Sequence, residues 1–429
     1  MPTLTVGTGG TFPTIAAAVA ASAPGDTIAV QAGLYTNDFV TIRHDLILTA
    51  TGGPAKLVAT KAPPNGKAII TEGGPGVDVV ITGFDISGAK VPHGNGAAIR
   101  YEGGTLVLDG VSFHHNQNGI LAATDPTGTI AITNSTFTAN GSGSGDTHGI
   151  YVNRIAHLTI ANSTITGTKV GHQVKSRAAA TTITGSLLAD GKGGTGSYLI
   201  DLPNGGKGVI QGNVLQKGPL AQNPHGISFG AEGNLHPASS LKVQGNTLVT
   251  DRIGKGAAIR NVTGATVQVK DNLLYGWKAT AEGPAALSGN SFAAKRPNIA
   301  LPSKPPPPAA PPPEATAPVE PPPVEPPPVT PPRAAPPPPP AVPPAQPELP
   351  PPPAPPDLPV PPVPLPRPIP PLVEALPDLI PGLPPPPAAQ PQPLPTLPSR
   401  GSAYATSAQD PTPPWAGPAS HDPLPLHGP

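Results

Sequence analysis

The 429-residue sequence contains no cysteine, a single methionine and few aromatic residues, which make up 3% of the chain. Without cysteine, the protein can form neither disulfides nor thiolate metal sites, and it has no cysteine nucleophile. Lysine and arginine together number 25, as do aspartate and glutamate, so the formal net charge at pH 7 is zero. Such a balance argues against nucleic acid or an anionic membrane as the main partner.

Long apolar runs are also missing. No stretch approaches the ~20 consecutive apolar residues that a membrane-spanning helix needs. The opening Met-Pro-Thr-Leu-Thr-Val-Gly carries neither the basic nor the hydrophobic region of an ordinary signal peptide. Between residues 80 and 292, no apolar stripe with the helical period of about 3.6 residues is long enough to predict a helix.

Proline is abundant but unevenly distributed. Of the 71 prolines, 16 lie in residues 1–302 and the other 55 in residues 303–429. The first part is long enough to bury one sizeable core, whereas the second consists mostly of proline with alanine, leucine and valine. We therefore predict a folded domain over residues 1–302 and a disordered, proline-rich tail over residues 303–429. An inert spacer and a segment that binds cell-envelope or protein partners are both compatible with such a tail.

A hexapeptide pattern repeats nine times in the folded part, as in Ile132-Thr-Asn-Ser-Thr-Phe137. The third residue of each repeat is glycine, asparagine or aspartate, the residues that adopt a left-handed backbone at least cost. The residues two positions before and three positions after it are large and apolar. The nine third-position residues are Gly83, Gly110, Asn134, Asn162, Gly185, Gly212, Gly245, Asp271 and Gly289.

These turn residues recur with a period on the order of 25 residues, which is typical of a stacked solenoid. The longest interval, 33 residues, separates Gly212 from Gly245. Apolar and polar residues alternate on each side of the turn, which is the period of a β-strand. The pattern therefore predicts an all-β fold, a right-handed parallel β-helix of about eleven coils. The alanine-rich segment Thr14–Ala21 is predicted to be a helix that caps the first coil.

The repeat register, the cap helix and the following phrase Gly25-Asp-Thr-Ile-Ala-Val-Gln-Ala-Gly-Leu-Tyr35 together resemble the pectin-lyase-like superfamily. The resemblance extends from about residue 3 to residue 292. It implies the β-helix fold, and proteins of this fold favour an extracellular or cell-surface location. Export itself is not decided by the sequence.

A further strand recurs between the turn motifs, with its central aliphatic residue pointing inward. The next residue of each strand then points outward. This outward column reads Arg100, Leu121, Tyr151, Lys175, Asp201, Ser228 and Arg260. Two positions before each inward residue lies a second column of Ala97, Asn118, His148, His172, Tyr198, His225 and Ala257.

Rings and cations on successive coils, ~4.8 Å apart, suit a linear acidic polysaccharide. We therefore predict an elongated outer groove that binds such a polymer. Its predicted substrate-binding residues are Tyr151, Arg100, Arg177, His148, His225 and Arg260. The alternative is that the histidines only hydrogen-bond the bends beside them. Asn213, Asn246, Asn272 and Asn290, which follow four successive turns, are interpreted as a structural ladder.

The segment His172-Gln-Val-Lys-Ser-Arg177 and the later Asp201 resemble the chondroitinase-B/alginate-lyase branch of the superfamily. This resemblance implies β-elimination from a uronic acid with Lys175 as the base. The arginine that serves as the acid in that branch is replaced by Asp201, and its calcium-binding carboxylates have no counterpart here. Lys175, Asp201 and His172 are thus the candidate catalytic residues, and no metal or cofactor is predicted. A plain salt bridge between Lys175 and Asp201 would also explain both residues.

Two functional hypotheses remain open. The protein binds an acidic polysaccharide, in one version with lyase or epimerase activity, or it is a non-catalytic structural or adhesive rod carried on a proline-rich spacer. In either case we expect a monomer.

Overall fold

The structure, a computed structural model, describes residues 3–254 and 256–300. The proline-rich tail predicted for residues 303–429 lies outside the described residues. No helix in the described ranges is long and apolar enough to cross a membrane.

The chain starts with strand β1 (Thr3–Val6) and helix α1 (Ile15–Ala21). Thr14 is the N-cap, and its side chain accepts a hydrogen bond from the backbone N–H of Ala17. The carboxylate of Asp38 accepts hydrogen bonds from two other backbone amides of the first turn, those of Ile15 and Ala16, at 2.6 and 3.0 Å. Since a helix leaves its first amides without internal partners, these contacts fix where α1 begins. The helix buries Ile15 and Val19 and packs on β1, β2 (Asp26–Thr36) and β3 (Val40–Ile42), which confirms the predicted cap.

Each complete coil contributes three strands, and each strand pairs in parallel with the equivalent strand of the neighbouring coil. The first ladder comprises β2 (Asp26–Thr36), β4 (Leu46–Val58), β6 (Asp78–Thr82), β9 (Thr105–Asp109), β12 (Asp125–Thr133), β15 (Ile155–Ala161), β18 (Ala180–Thr184), β21 (Lys207–Gln211), β24 (Ser240–Gln244), β27 (Val267–Lys270) and β30 (Ala285–Ser288).

The second ladder continues from the C-terminal half of β4. It comprises β7 (Phe84–Ser87), β10 (Ser112–His114), β13 (Thr136–Thr138), β16 (Thr164–Thr166), β19 (Leu187–Ala189), β22 (Val214–Lys217), β25 (Thr247–Thr250), β28 (Leu273–Tyr275) and β31 (Ser291–Phe292).

The third ladder is a separate ten-stranded sheet. It comprises β3 (Val40–Ile42), β5 (Ala68–Glu72), β8 (Ala97–Tyr101), β11 (Asn118–Ala122), β14 (Ile150–Val152), β17 (Val174–Ser176), β20 (Ile200–Leu202), β23 (Ile227–Phe229), β26 (Ala257–Asn261) and β29 (Ala279–Glu282).

The nine predicted turn residues all have a left-handed backbone, with φ between 49° at Asn162 and 74° at Gly83. Each lies between a first-ladder strand and a second-ladder strand. The predicted one-residue bend is present at Gly83, whereas at the other eight positions a second residue, such as Val111 after Gly110, also lies between the strands. The apolar residues on either side point into the solenoid. Ile132, Ile160 and Ile183, for example, lie in register on successive coils and are completely buried.

The core is one continuous apolar column inside the coils. Phe113 and Phe137 stack within it, with ring centroids 4.5 Å apart. At the last coil the equivalent residues Leu287 and Phe292 are each 54% exposed, because no further described coil covers them.

The asparagine column beside the turns is a hydrogen-bonded ladder, as predicted. The side-chain amide of Asn213 donates to Asn246 Oδ1 at 3.0 Å, Asn246 donates to Asn272 at 2.9 Å, and Asn272 donates to Asn290 at 2.8 Å. Each also donates to a backbone carbonyl of the preceding coil, such as that of Ile183. The ladder therefore satisfies buried polar groups along the axis.

Leu46–Val58 forms one continuous strand, β4. Pro54 lies within β4 and Pro126 within β12. Both sit where the register with the neighbouring strand shifts. At such irregularities the missing N–H of proline breaks no ladder hydrogen bond.

Candidate functional site

The outward column predicted from the sequence is present on the ten-stranded sheet. Tyr151 pairs with Lys175, Lys175 with Asp201, Asp201 with Ser228, and Ser228 with Arg260. Parallel pairing in register brings these residues, far apart in sequence, onto one line. We call the outer surface of β14, β17, β20, β23 and β26, with the ring column that precedes these strands, the candidate face.

The ring column forms a stack beside that line. His148 stacks on Tyr151 and on His172, with ring centroids 5.5 and 5.0 Å apart, and His172 lies 5.4 Å from Tyr198. His148 Nδ1 accepts the backbone N–H of His172, and His172 Nδ1 accepts that of Tyr198, both at 3.1 Å. The two histidines therefore do support the bends beside them, the alternative left open by the sequence.

The burial and the contacts of His148 and His172 determine the protonation state and the tautomer of both imidazoles. Burial lowers the pKa of His148 to about 3, with the nearby cations Lys175 and Arg177 adding to the effect. Burial, together with His148 and Lys175, lowers the pKa of His172 to about 2. Both rings are therefore neutral at pH 7. Because Nδ1 is an acceptor in each, the single ring proton is on Nε2.

Asp201 is the most enclosed charged residue of the face, at 3% exposure. Its Oδ2 lies 3.5 Å from His172 Nε2 and 3.6 Å from Lys175 Nζ, so the salt bridge to Lys175 considered from the sequence is present. Burial raises the pKa of Asp201, against the opposing effect of Lys175. Its Oδ1 and the neighbouring Ser228 Oγ are both buried and have no other partner in the described part of the chain, and a hydrogen bond from the Ser228 hydroxyl also lowers the pKa of Asp201 against the effect of burial.

Two cations, Lys175 and Arg177, share the carboxylate of Glu232. Lys175 Nζ is 2.6 Å from Glu232 Oε1, and Arg177 Nη2 is 2.5 Å from Glu232 Oε2. Arg177 also donates through Nε to Tyr151 Oη at 3.2 Å and through Nη1 to Asn204 Oδ1 at 2.8 Å. The guanidinium is thus held in one orientation by three different groups.

Arg260 and His225 form the far end of the face. Arg260 Nη1 lies 3.5 Å from Tyr198 Oη, and Arg260 Nε is 3.9 Å from Glu282 Oε1. His225 Nδ1 contacts the backbone oxygen of Ala257 at 3.2 Å, and its Nε2 is 3.7 Å from Glu282 Oε2. Burial lowers the pKa of His225 despite these two acceptors.

Arg100 is not part of this group. It lies on the same column, but Leu121 separates it from Tyr151, and its guanidinium pairs with Glu102 at 3.1 Å. The structure therefore brings together Lys175, Asp201 and His172 with Tyr151, Arg177 and His148, connects Arg260 and His225 through Tyr198 and Glu282, and leaves Arg100 two coils away.

The set of acidic residues on the face does not form a metal site. Within residues 3–254 and 256–300, no three histidine, aspartate or glutamate side chains converge in a way that could hold a metal ion. The polar groups of the face are instead arranged as charge pairs and hydrogen bonds.

The sequence analysis missed Glu232 and Asn204, which hold the two cations. Glu232 lies in the connection between β23 and β24, outside every repeat column. One signal was available, because the 33-residue interval from Gly212 to Gly245 is the longest of the series and marks an insertion in that coil.

The comparisons with known proteins agree with this architecture. Residues 65–188 match the family described as a right handed beta helix region. An alginate lyase from Paenibacillus sp. str. FPU-7 is 17% identical over 66% of this chain and 98% of its own, with a TM-score of 0.41. The pectate lyase Pel9A is 13% identical over 68% of this chain and 79% of its own, with a TM-score of 0.39.

The A-module of the Azotobacter vinelandii mannuronan C-5 epimerase AlgE6 is 12% identical over 66% of this chain and 94% of its own, with a TM-score of 0.32. No curated protein matches the sequence. The stacked coils, the left-handed turn residues and the family match over residues 65–188 together show that the described part of the chain folds as a right-handed parallel β-helix.

Proposed function

We propose that this protein binds an acidic polysaccharide along the candidate face. The observation that carries the proposal is a pair of cations, Lys175 and Arg177, whose side chains are held by fixed partners on an outer face. Cations in fixed positions bind carboxylates, and each sugar of a uronic acid polymer carries one.

The repeat of the face supports a polymer as that ligand. Equivalent side chains recur every ~4.8 Å along the solenoid axis, close to the length of one sugar unit. The stacked rings of His148, His172 and Tyr198 run in the same direction. Because these rings cover one another's faces, they form a fixed wall along the candidate face rather than free stacking surfaces.

The charges of the face support an acidic polymer rather than a neutral one. Lys175, Arg177 and Arg260 lie along it, and the first two already hold a carboxylate in the structure. Arginine held in a fixed orientation binds carboxylates with two donors and loses little entropy in doing so.

Cleavage by β-elimination is the second candidate function, and the raised pKa of Asp201 favours it. A raised pKa moves a carboxyl group toward the range in which it can donate a proton to a leaving glycosidic oxygen. Lys175 is the base implied by the family resemblance. In this structure its ammonium contacts the carboxylates of Asp201 and Glu232. Such contacts are expected of a cation that binds the carboxylate of a substrate.

The test is binding and turnover of defined acidic glycans. Polymannuronate, polygalacturonate and chondroitin sulfate are titrated by calorimetry with dextran as the neutral comparison, and absorbance near 235 nm detects the unsaturated products of elimination. We expect one acidic glycan to bind and Lys175→Gln to weaken binding about ten-fold. Lys242→Gln, which removes an exposed cation from β24 on the first ladder, is the matched control.

Equally weak binding of dextran and of the acidic glycans would overturn the proposal and favour the structural rod. If binding is accompanied by a rise in absorbance, Asp201→Asn should abolish the rise and leave binding within about three-fold. A rise that persists in Asp201→Asn would exclude Asp201 as the proton donor.

A further inference from the structure

The connection between β23 and β24, residues 230–239, is much longer than its equivalents in the two preceding coils, residues 177–179 and 203–206. We call residues 230–239 the strap. It folds backward over earlier coils rather than outward into solvent. The backbone amides of Gly230 and Glu232 donate to the carbonyls of Leu202 and Pro203 in the preceding coil, at 2.9 and 3.0 Å.

Further contacts hold the strap across the candidate face. His236 Nε2 lies 2.8 Å from the backbone oxygen of Arg177, and the side chain of Asn204 donates to the carbonyl of Gly233 at 2.8 Å. The guanidinium of Arg154 donates to the carbonyl of Asn234 at 2.8 Å. The strap thus reaches the coils of β17 and β14, two and three coils before its own.

Glu232 is the only acidic residue of the strap. Its carboxylate lies between Lys175 and Arg177, the two cations that bind substrate in the proposed function. Each carboxylate oxygen contacts one cation, Lys175 or Arg177. Although partial burial opposes it, hydrogen bonding from these two cations lowers the pKa of Glu232, so the group is ionised at pH 7. A uronic acid carboxylate would make the same pair of contacts.

The cations are also held by groups other than Glu232, whereas the carboxylate of Glu232 contacts only these two cations within the described residues. Tyr151 and Asn204 hold the guanidinium, and Asp201 lies 3.6 Å from the Lys175 ammonium. The side chain of Glu232 is 41% exposed, but those of Lys175 and Arg177 are only 13% and 20% exposed. The two cations therefore belong to the coils, whereas the carboxylate that lies between them comes from the strap.

We propose that Lys175 and Arg177 form the subsite for one sugar carboxylate and that Glu232 fills this subsite in the unbound protein. The inference rests on the proposed function, because it assigns a carboxylate-bearing sugar to this site. Binding of the polymer then requires the strap to withdraw Glu232. The measured affinity is lowered by the fraction of molecules in which the subsite is filled.

The experiment compares Glu232→Gln with Glu282→Gln. Both changes remove one negative charge from the same face, but Glu282 contacts His225 and Arg260 and not the subsite. We expect Glu232→Gln to raise the affinity for an acidic hexasaccharide about ten-fold and Glu282→Gln to raise it about two-fold at most. Equal effects of the two variants would overturn the proposal. If Glu232→Gln does not fold, Glu232→Asp, whose shorter side chain cannot bridge both cations, should raise the affinity by a smaller factor.

A second probe separates failure of the inference from failure of the proposed function. Acetate carries the carboxylate alone, and its binding is followed by the NMR signal of the Arg177 Nε–H group. We expect acetate to shift this signal in Glu232→Gln but not in the wild type. Acetate binding to Glu232→Gln without any glycan binding would support the subsite and overturn the proposed polysaccharide function. Glycan binding with no acetate response in Glu232→Gln would overturn the subsite alone.

Discussion

The ammonium nitrogen of Lys217 lies 3.5 Å from a carboxylate oxygen of Asp190, and neither side chain has any exposed surface. Lys217 also donates to the carbonyl of Ser197, while Asp190 accepts from the backbone of Gly218 and the side chain of Gln173, both at 3.0 Å. Burial lowers the pKa of Lys217 and raises that of Asp190, and each partner opposes the shift of the other. Asp190 directly follows β19 and Lys217 is the last residue of β22, so the pair lies at the ends of two neighbouring strands of the second ladder.

Removing one member of this pair should destabilise the fold strongly. Lys217→Met leaves Asp190 buried without its cation, which typically costs about 3–5 kcal/mol. The double variant Lys217→Met/Asp190→Asn removes both charges and should recover part of that loss. Urea denaturation measures the difference, with Lys242→Met at an exposed position as the control. A double variant as unstable as Lys217→Met would show that the unpaired charge is not the cause.

Glu72 should make stability fall as the pH rises. It is completely buried inside the first coils, both oxygens lack partners in the described part of the chain, and burial together with Glu102 raises its pKa to about 9. In the unfolded chain a glutamate titrates near ~4.3. The stabilisation is therefore complete below that pH and is lost as the pH rises toward 9, by up to about 1.4 kcal/mol per pH unit.

Glu72→Gln keeps the shape of the side chain and removes the titration. We expect the variant to gain stability relative to the wild type steadily between pH 5 and pH 8, measured by denaturation at each pH. Since other groups titrate equally in both proteins, they cancel in the difference. A difference that stays constant with pH would contradict the buried, protonated state.

The two stacked histidines, His148 and His172, should make stability fall as the pH is lowered, which is opposite to the effect of Glu72. Their pKa values, about 3 for His148 and about 2 for His172, lie below the ~6.5 of an unfolded chain. Stability is therefore present above pH ~6.5 and falls at lower pH, by up to about 1.4 kcal/mol per unit for each histidine. NMR of the imidazole nitrogens should show both rings neutral, protonated on Nε2, from pH 8 down to pH 5.

Substitution provides the comparison for this effect. His172→Gln should flatten the acid limb of the stability curve, and His157→Gln, at an exposed position on β15, should leave it unchanged. Observation of a His172 titration near pH 6.5 would mean that the ring is not enclosed as described.

The left-handed turns predict a graded response to substitution. Gly212 has a φ of 66°, and a Cβ atom at this position would meet no atom within 4 Å, so only backbone strain opposes a side chain. Gly212→Ala should cost about 1 kcal/mol, and Gly212→Val should cost more because its branched side chain disfavours this region further. Gly212→Asn should cost least, as asparagine occupies the equivalent position at Asn134 and Asn162.

Thermal denaturation of the three variants measures this order. Gly193→Ala is the matched control, because a Cβ there also meets nothing within 4 Å and its backbone is not left-handed. Equal losses for Gly212→Ala and Gly212→Asn would contradict strain as the source of the cost.

The amino-acid sequence by itself determined the coil and its register. Every turn needs a residue that tolerates positive φ, and every inward position needs an apolar side chain, so Asn134 and Ile132 carry their structural roles in their identity and spacing. In a parallel solenoid, equivalent positions become neighbours automatically. For this reason the adjacency of Lys175 and Asp201 could also be read from the repeat.

Only the tertiary structure decided what surrounds those two residues. The strap lies outside the repeat, and its path over earlier coils depends on backbone contacts such as that of His236 with Arg177, which no periodic pattern encodes. The neutral state of His172 likewise depends on its enclosure between His148 and Tyr198. Periodicity specifies which residues share a column, whereas burial, loop conformation and partner geometry determine their charge and accessibility.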